Sequence, residues 1–255
     1  MKSVYVLLCY SLLCLYCTQC KILYQCNFDN STLEDHCFTT PVLVLNGLAL
    51  VSEKPPDSPW SDVTSSLKAT GNGEVCKLPY KIDKHTWDLY FCYKNVCPTN
   101  SSSNSTCASG QFAGIQLSGD TVQSFQLKTE SGGIDGINKQ YLTYYYYMAY
   151  MIGKRIQVRK VEVDGTSSVV DVVTSSSFNG WIKREVNFNA ANRGYKLYFD
   201  LQKLSADTSF NDIGLDEISI SQEDEITTER PTTTTTTTEL TTTTEPSHNN
   251  NNNNN

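Results

Sequence analysis

An all-β fold is predicted for this chain: an antiparallel β-sandwich of jelly-roll type, followed by a disordered Thr-rich tail. Three features predict it. Short apolar runs bounded by Gly and Asn recur from residue 42 to residue 220. No window of useful length repeats at the 3.6-residue period of an amphipathic helix. The end of the chain, by contrast, is nearly devoid of apolar side chains and cannot offset the entropy of ordering. Residues 21–221 form the expected sandwich, a length that suits one such domain and needs no metal to build a core.

The chain opens on MKSVYVLLCYSLLCLYCTQC. Lys2 is a positive n-region, residues 4–16 are apolar, and Thr18 and Cys20 are a small-residue exit. This is the grammar of a secretory signal, residues 1–20, cut after Cys20 or a few residues earlier. The apolar run is too short to span a bilayer, which weighs against the competing reading as a signal anchor.

Strands follow one another after it. VLVLNGLALV (42–51) reads as a hairpin about Asn46-Gly47. WDLYFCY (87–93), FAGIQL (112–117) and SFQLK (124–128) come next, then the tyrosine run YLTYYYYMAYM (141–151). RIQVRKVEV and SSVVDVV flank Asp164-Gly165, the strongest hairpin signal present. WIKREVNF (181–188), YKLYFDLQ (195–202) and IGLDEISI (213–220) complete the set. Residues 222–255 are the tail, Thr-rich and mucin-like and ending in poly-Asn. Its Thr and Pro suit a stiff O-glycosylated stalk; unmodified, it would be a flexible linker.

The formal net charge is −7, with Glu223, Asp224, Glu225, Glu229, Glu239 and Glu245 in or beside the tail. No basic stripe appears, which argues against a nucleic-acid partner. Ten cysteines fall to six once the signal is removed: Cys26, Cys37, Cys76, Cys92, Cys97 and Cys107. An even number in an exported chain reads as three disulfides, each adding about 2–4 kcal/mol. Spacing within 76–107 lacks the paired close cysteines and histidines of a zinc site. Asn30, Asn100 and Asn104 begin N-x-[ST] sequons, consistent with a secreted, extracellular glycoprotein. The last two lie in a polar loop between Cys97 and Cys107.

Catalytic groups are scarce. The mature chain carries His36, His85 and His248, the last in the tail. His36 and Cys37 adjoin in EDHC, but a bridged Cys37 has no thiolate to offer. No G-x-S-x-G, H-E-x-x-H or phosphate-cradling glycine loop occurs, so no catalytic residue is assigned and the expectation is a non-enzyme.

The order of the pieces resembles a MAM domain, the extracellular adhesion and interaction module of meprins, neuropilins and receptor phosphotyrosine phosphatases. CNFD (26–29) with Cys37, LTYYYYM (142–148), RIQV (155–158), WIKREVNF from Trp181 and DIGLDEI (212–218) carry the likeness, from Cys26 to Ile220. Two of the family's cysteines are missing, one at Tyr141 and one near the last strand. Four others crowd into 76–107, which looks like an insertion. The resemblance implies a Cys26–Cys37 bridge; the other four cysteines have three pairings open to them.

The resemblance also makes Leu142, Tyr144, Tyr146 and Met148 the core side of the tyrosine strand. Tyr141, Tyr145 and Tyr147 then lie opposite. They either cover the second face of the sheet beneath the insertion or form a tyrosine platform for a partner. It further implies that Asp29 and Asp216 meet between the terminal strands, where such modules hold a structural Ca²⁺; otherwise Asp29 caps a turn and Asp216 accepts backbone hydrogen bonds. Glu217, next to Asp216 on a regular strand, is expected to face away. No other cofactor is expected. The functional expectation is a non-catalytic module, secreted or displayed at a cell surface if the chain continues. It would contact an extracellular protein, or itself, in adhesion or matrix assembly. The alternatives are lectin-like carbohydrate binding through exposed tyrosines and a structural coat or mucus glycoprotein.

Overall fold

The computed structural model describes residues 20–29, 37–46, 61–82, 85–87, 92, 95–108, 110–148, 153–177, 180–204 and 212–223. Residues 1–19, Asn30, His36, the second half of the 42–51 hairpin, most of WDLYFCY and the chain after Glu223 lie outside them. The strands are β1 (Cys20–Cys26), β2 (Leu43–Asn46), β3 (Tyr80–Ile82), β4 (His85–Trp87), β5 (Val96–Cys97), β6 (Ser105–Thr106) and β7 (Gln111–Gln116). They continue as β8 (Gln123–Gln126), β9 (Asn138–Met148), β10 (Lys154–Val161), β11 (Ser167–Val173), β12 (Ile182–Ala190), β13 (Lys196–Lys203) and β14 (Asp212–Glu223). One helical turn, Thr64–Leu67, accompanies them among the described residues.

Two antiparallel sheets form a sandwich of the expected type. The larger runs β12-β9-β14-β7-β2, with β1 sharing the β14 edge with β7; the smaller runs β11-β10-β13-β8. Alternation along each strand decides which side chains enter the gap. Along β10, Ile156 and Val158 are fully buried, while Arg155, Gln157 and Arg159 between them stay partly exposed. Leu142, Ile156, Leu197, Phe199, Leu215 and Ile220 belong to one core, each contributing about 1.5–3 kcal/mol by burial. Tyr144 of β9 meets Phe199 of β13 edge to face, ring centroids 5.2 Å apart, across the sandwich.

The segment around Phe38 joins the sheets at one side. Phe38 bridges to Leu127 beside β8, and the chain then crosses to pair β2 with β7. The Asp164-Gly165 signal is a hairpin with a three-residue loop. Glu162 N–H donates to the Thr166 carbonyl at 2.8 Å, Gly165 N–H to the Glu162 carbonyl at 3.0 Å, and Gly165 sits at φ 86°. That left-handed position is why glycine stands there.

Three boundaries differ from the sequence expectation. β1 begins at Cys20, which pairs with Glu223, so the strand abuts the expected cleavage point and the last strand runs two residues past 221. The excursion between β2 and β7 includes Ser61 to Leu67, ahead of the cysteine-rich 76–107 part. Within it, ribbons β3–β4 and β5–β6 are held by Cys76–Cys97 and Cys92–Cys107, one of the three open pairings. Cys26 is bridged to Cys37, as the resemblance implies. Three bridges fit an oxidising compartment. The sequon residues Asn100 and Asn104 are exposed. Among the described residues no helix is long and apolar enough to cross a membrane.

Candidate functional site

The outer face of the four-stranded sheet is where polar groups concentrate. Period-2 alternation on three neighbouring strands points Arg155, Gln157 and Arg159 of β10, Tyr198, Asp200 and Gln202 of β13, and Ser124 and Gln126 of β8 to the same side. Register places Arg155 opposite Gln202, Gln157 opposite Asp200 and Arg159 opposite Tyr198. Gln126 lies opposite Tyr198 on the far side. Arg159 Nε donates to Asp200 Oδ2 at 2.7 Å and its Nη2 to Oδ1 at 3.2 Å, while Ser124 Oγ donates to Asp200 Oδ1. The hydrogen bond to Asp200 raises the Arg159 pKa above its ordinary value. The same guanidinium stands 4.5 Å from the Tyr198 ring centroid, and the Tyr198 hydroxyl donates to Gln126 Oε1 at 2.9 Å. Arg155 Nη2 donates to Gln202 Oε1 at 2.7 Å, and Gln202 Nε2 donates in turn to the Asp120 carbonyl. The face is thus a braced set of planar groups on rigid strands. Along β8 it opens into a groove of about 530 Å³ lined by Thr40, Pro41, Leu43, Gln116, Gln123 and Ser124 among others.

Of the two alternatives for the outer tyrosines of β9, the structure matches the covering one: Tyr145 and Tyr147 are 6% and 0% exposed and form no platform. The Trp181 ring stands 6.0 Å from Tyr147 and 5.4 Å from Phe112, and Trp181 Nε1–H donates to the Ser61 carbonyl at 2.8 Å. Ser61 to Thr64 are themselves buried, so the start of the excursion roofs this side of the sheet and makes a second apolar layer. Tyr141 is partly exposed, but its hydroxyl donates to Glu223 and Lys139 Nζ lies 5.0 Å over its ring. All three rings are therefore engaged within the chain.

Asp29 and Asp216 do meet one helical turn. Asp29 lies in the turn after β1 and accepts from Gln111 N–H at 2.8 Å, from the Thr64 hydroxyl and from Lys68 Nζ at 3.3 Å. Asp216 on β14 is fully buried and accepts from the N–H groups of Val63 at 2.9 Å and Glu217 at 2.8 Å. Asp62, between them, accepts from Gly110 N–H at 2.7 Å. Glu217 does not face away as expected. A β-bulge interrupts the β14–β9 register after Asp216, and Glu217 takes φ 47°, which turns its carboxyl toward this cluster. Burial pushes the Asp216 carboxyl well up, and the charges of Glu217 and Asp62 add to that. Burial likewise raises Glu217, followed by the charge of Asp29. Four carboxyl groups thus lie near one another, with Lys68 ion-paired to Asp29 alone, and all the donors are hard oxygens, the chemistry of a Ca²⁺ site. Among the described residues no three of these carboxyl groups bring oxygens within 4.8 Å of one another; the group that is so close, Cys76, Cys97 and Cys107, is spoken for by disulfides.

Cys37 is bridged, so EDHC supplies no thiolate. The polar sheet face carries no conspicuous run or motif in the sequence. Its signal was present in the interleaved polar residues of RIQVRKV and YKLYFDLQ.

No family model and no curated protein matches the chain. Solved structures similar to it include the module CBM1 of BiXyn10A, 10% identical over 80% of this chain and 99% of that one, TM-score 0.36. Another is CBM29-2, a family 29 carbohydrate-binding module, 13% identical over 43% of this chain and 69% of that one, TM-score 0.32. A third is a carbohydrate-binding module of Cellvibrio mixtus lichenase 5A in complex with cellotriose. It is 13% identical over 45% of this chain and 79% of that one, TM-score 0.30.

Proposed function

We propose that the chain is a secreted, non-catalytic carbohydrate-binding module and that the outer face of the four-stranded sheet receives the glycan. The observation that carries this reading is the juxtaposition of Tyr198, Arg159, Asp200, Gln126 and Gln202 on three adjacent strands. A pyranose offers an apolar face of C–H groups and a rim of hydroxyls. A ring braced on a rigid sheet matches the first, and fixed amides, a carboxylate and guanidinium groups match the second. Because these side chains already hold one another, little ordering entropy is lost on binding. Titration of oligosaccharides into wild type and Tyr198→Ala tests it: the variant loses binding and keeps its melting temperature. Retained binding in Tyr198→Ala moves the site elsewhere.

A second reading, a MAM-like adhesion module gripping a protein or a second copy of itself, is favoured by the Cys26–Cys37 bridge and by Leu43, exposed on the edge strand β2. Concentration-dependent sedimentation separates the two: self-association favours this second reading, and glycan binding by a strict monomer favours the first. In either case Asp29, Asp62, Asp216 and Glu217 would hold a structural Ca²⁺ that supplies the missing positive charge.

A further inference from the structure

We propose that the glycan is acidic, a hexuronate-bearing oligosaccharide, and that Arg155 is the residue that selects it. This rests on the reading of the four-stranded sheet as a glycan platform. The chain as a whole carries −7. Yet the four strands of this sheet point Arg155, Arg159 and Lys196 outward against Asp200 alone. Arg159 is neutralised by its two bonds to Asp200.

Arg155 is not. Its Nη2 donates to the neutral carbonyl oxygen of Gln202, its Nε is buried without a partner, and no carboxylate pairs with it among the described residues, so the two terminal nitrogens are the ones left to meet a ligand. A guanidinium held in place without a counter-charge is a fork for a planar carboxylate, which it binds through two parallel N–H groups. A neutral hydroxyl would leave that charge uncompensated.

Position adds a length requirement. Arg155 and Arg159 are four residues apart on one strand, roughly 13 Å, and Tyr198 lies opposite Arg159. That is farther than one sugar ring reaches. The sugar stacked at Tyr198 and the carboxylate at Arg155 therefore belong to different residues of one oligosaccharide. Gln157 lies between them, opposite Asp200, with its side-chain amide unbonded among the described residues.

The experiment is calorimetric titration of the full secreted chain with a hexuronate trisaccharide and with its carboxyl-reduced neutral counterpart, at low and high salt. Wild type, Arg155→Gln and Arg155→Lys are compared, and a melting curve of each variant checks the fold. The acidic sugar is expected to bind wild type about tenfold tighter than the neutral one, the scale of one charge-assisted hydrogen bond, with the excess screened at high salt. Arg155→Gln removes the preference while neutral binding persists, and Arg155→Lys keeps part of it, because an ammonium retains the charge without the fork. Equal affinity of wild type for both sugars, or an undiminished preference in Arg155→Gln, overturns this inference and leaves the glycan platform standing. Binding of neither sugar to wild type overturns both.

Discussion

Arg184 of β12 grips the Asp171 carboxylate of β11 with two nitrogens, and the Tyr144 hydroxyl of β9 donates to the same group at 2.8 Å. One carboxylate thereby ties the smaller sheet to two strands of the larger. Burial works against the Asp171 charge, but the hydrogen bonds from Arg184 and Tyr144 outweigh it and hold its pKa below the ordinary 3.8. Such a group contributes stability above its unfolded pKa and loses it as pH falls toward the lower folded value. Arg184→Met leaves the charge buried without its partner; because the Arg184 side chain is 38% exposed and Asp171 keeps the Tyr144 and Val172 donors, the cost near neutral pH is about 1–3 kcal/mol, below that of a fully buried pair. In this variant mild acid restores stability, because protonating Asp171 removes the orphaned charge. Chemical denaturation across pH checks the reversal; a variant as stable as wild type at neutral pH contradicts it.

Tyr147→Ser opens a hole between Trp181 and the sheet beneath the excursion. Removing most of a buried aromatic ring costs about 3–5 kcal/mol. The expected outcome is a lower melting temperature with oligosaccharide affinity unchanged in the remaining folded protein. Full stability with lost ligand affinity would return this ring to the role of a platform.

Asp216 behaves in the opposite sense to Asp171. Its raised pKa means that its contribution is complete below the unfolded value of 3.8 and is lost as pH rises through the folded one. In EDTA, therefore, the head weakens from mildly acidic toward neutral pH. Calcium at neutral pH raises the melting temperature, because a dication replaces the departing proton. Asp29→Asn and Asp216→Asn each blunt the response. A wild-type melting temperature indifferent to both EDTA and calcium removes the cation.

The excursion depends on its two bridges. Cys76 and Cys97 close a loop with a sequence separation of 21 residues, for which chain entropy gives about 3 kcal/mol. Replacing both with Ser loosens residues 72–101, where Glu74 is held by Ser101 and Asn72. Non-reducing peptide mapping is expected to recover 76 with 97 and 92 with 107. Any crossed pairing would mean a different path for this segment.

Much of the sandwich could be read from alternation alone. The β10–β11 hairpin was legible because Asp164-Gly165 satisfies a local backbone demand, and β10 and β13 because their inward residues are plainly apolar. The tyrosine strand was harder: a period of two states that two faces exist, not that both are covered. The roof over Tyr145 and Tyr147 comes from Ser61 to Thr64 and from Trp181, distant in sequence and joined by a backbone carbonyl. The bulge at Glu217 was invisible for a related reason, since an extra residue in a strand shifts side chains without marking the composition. The polar sheet face was written in the sequence, but no single residue in it is unusual; only the register between β8, β10 and β13 makes it a site.

β14, the last of the described strands, is also the one around which the larger sheet is organised: β9 flanks one edge, and β1 and β7 share the other. A polypeptide stopped short of residue 212 would keep nearly all its apolar residues yet leave three ladders without a mate. Such fragments are candidates for edge-to-edge clumping rather than partial activity. The head is in this respect an all-or-nothing object, and shortened versions of it belong near Glu223 or not at all.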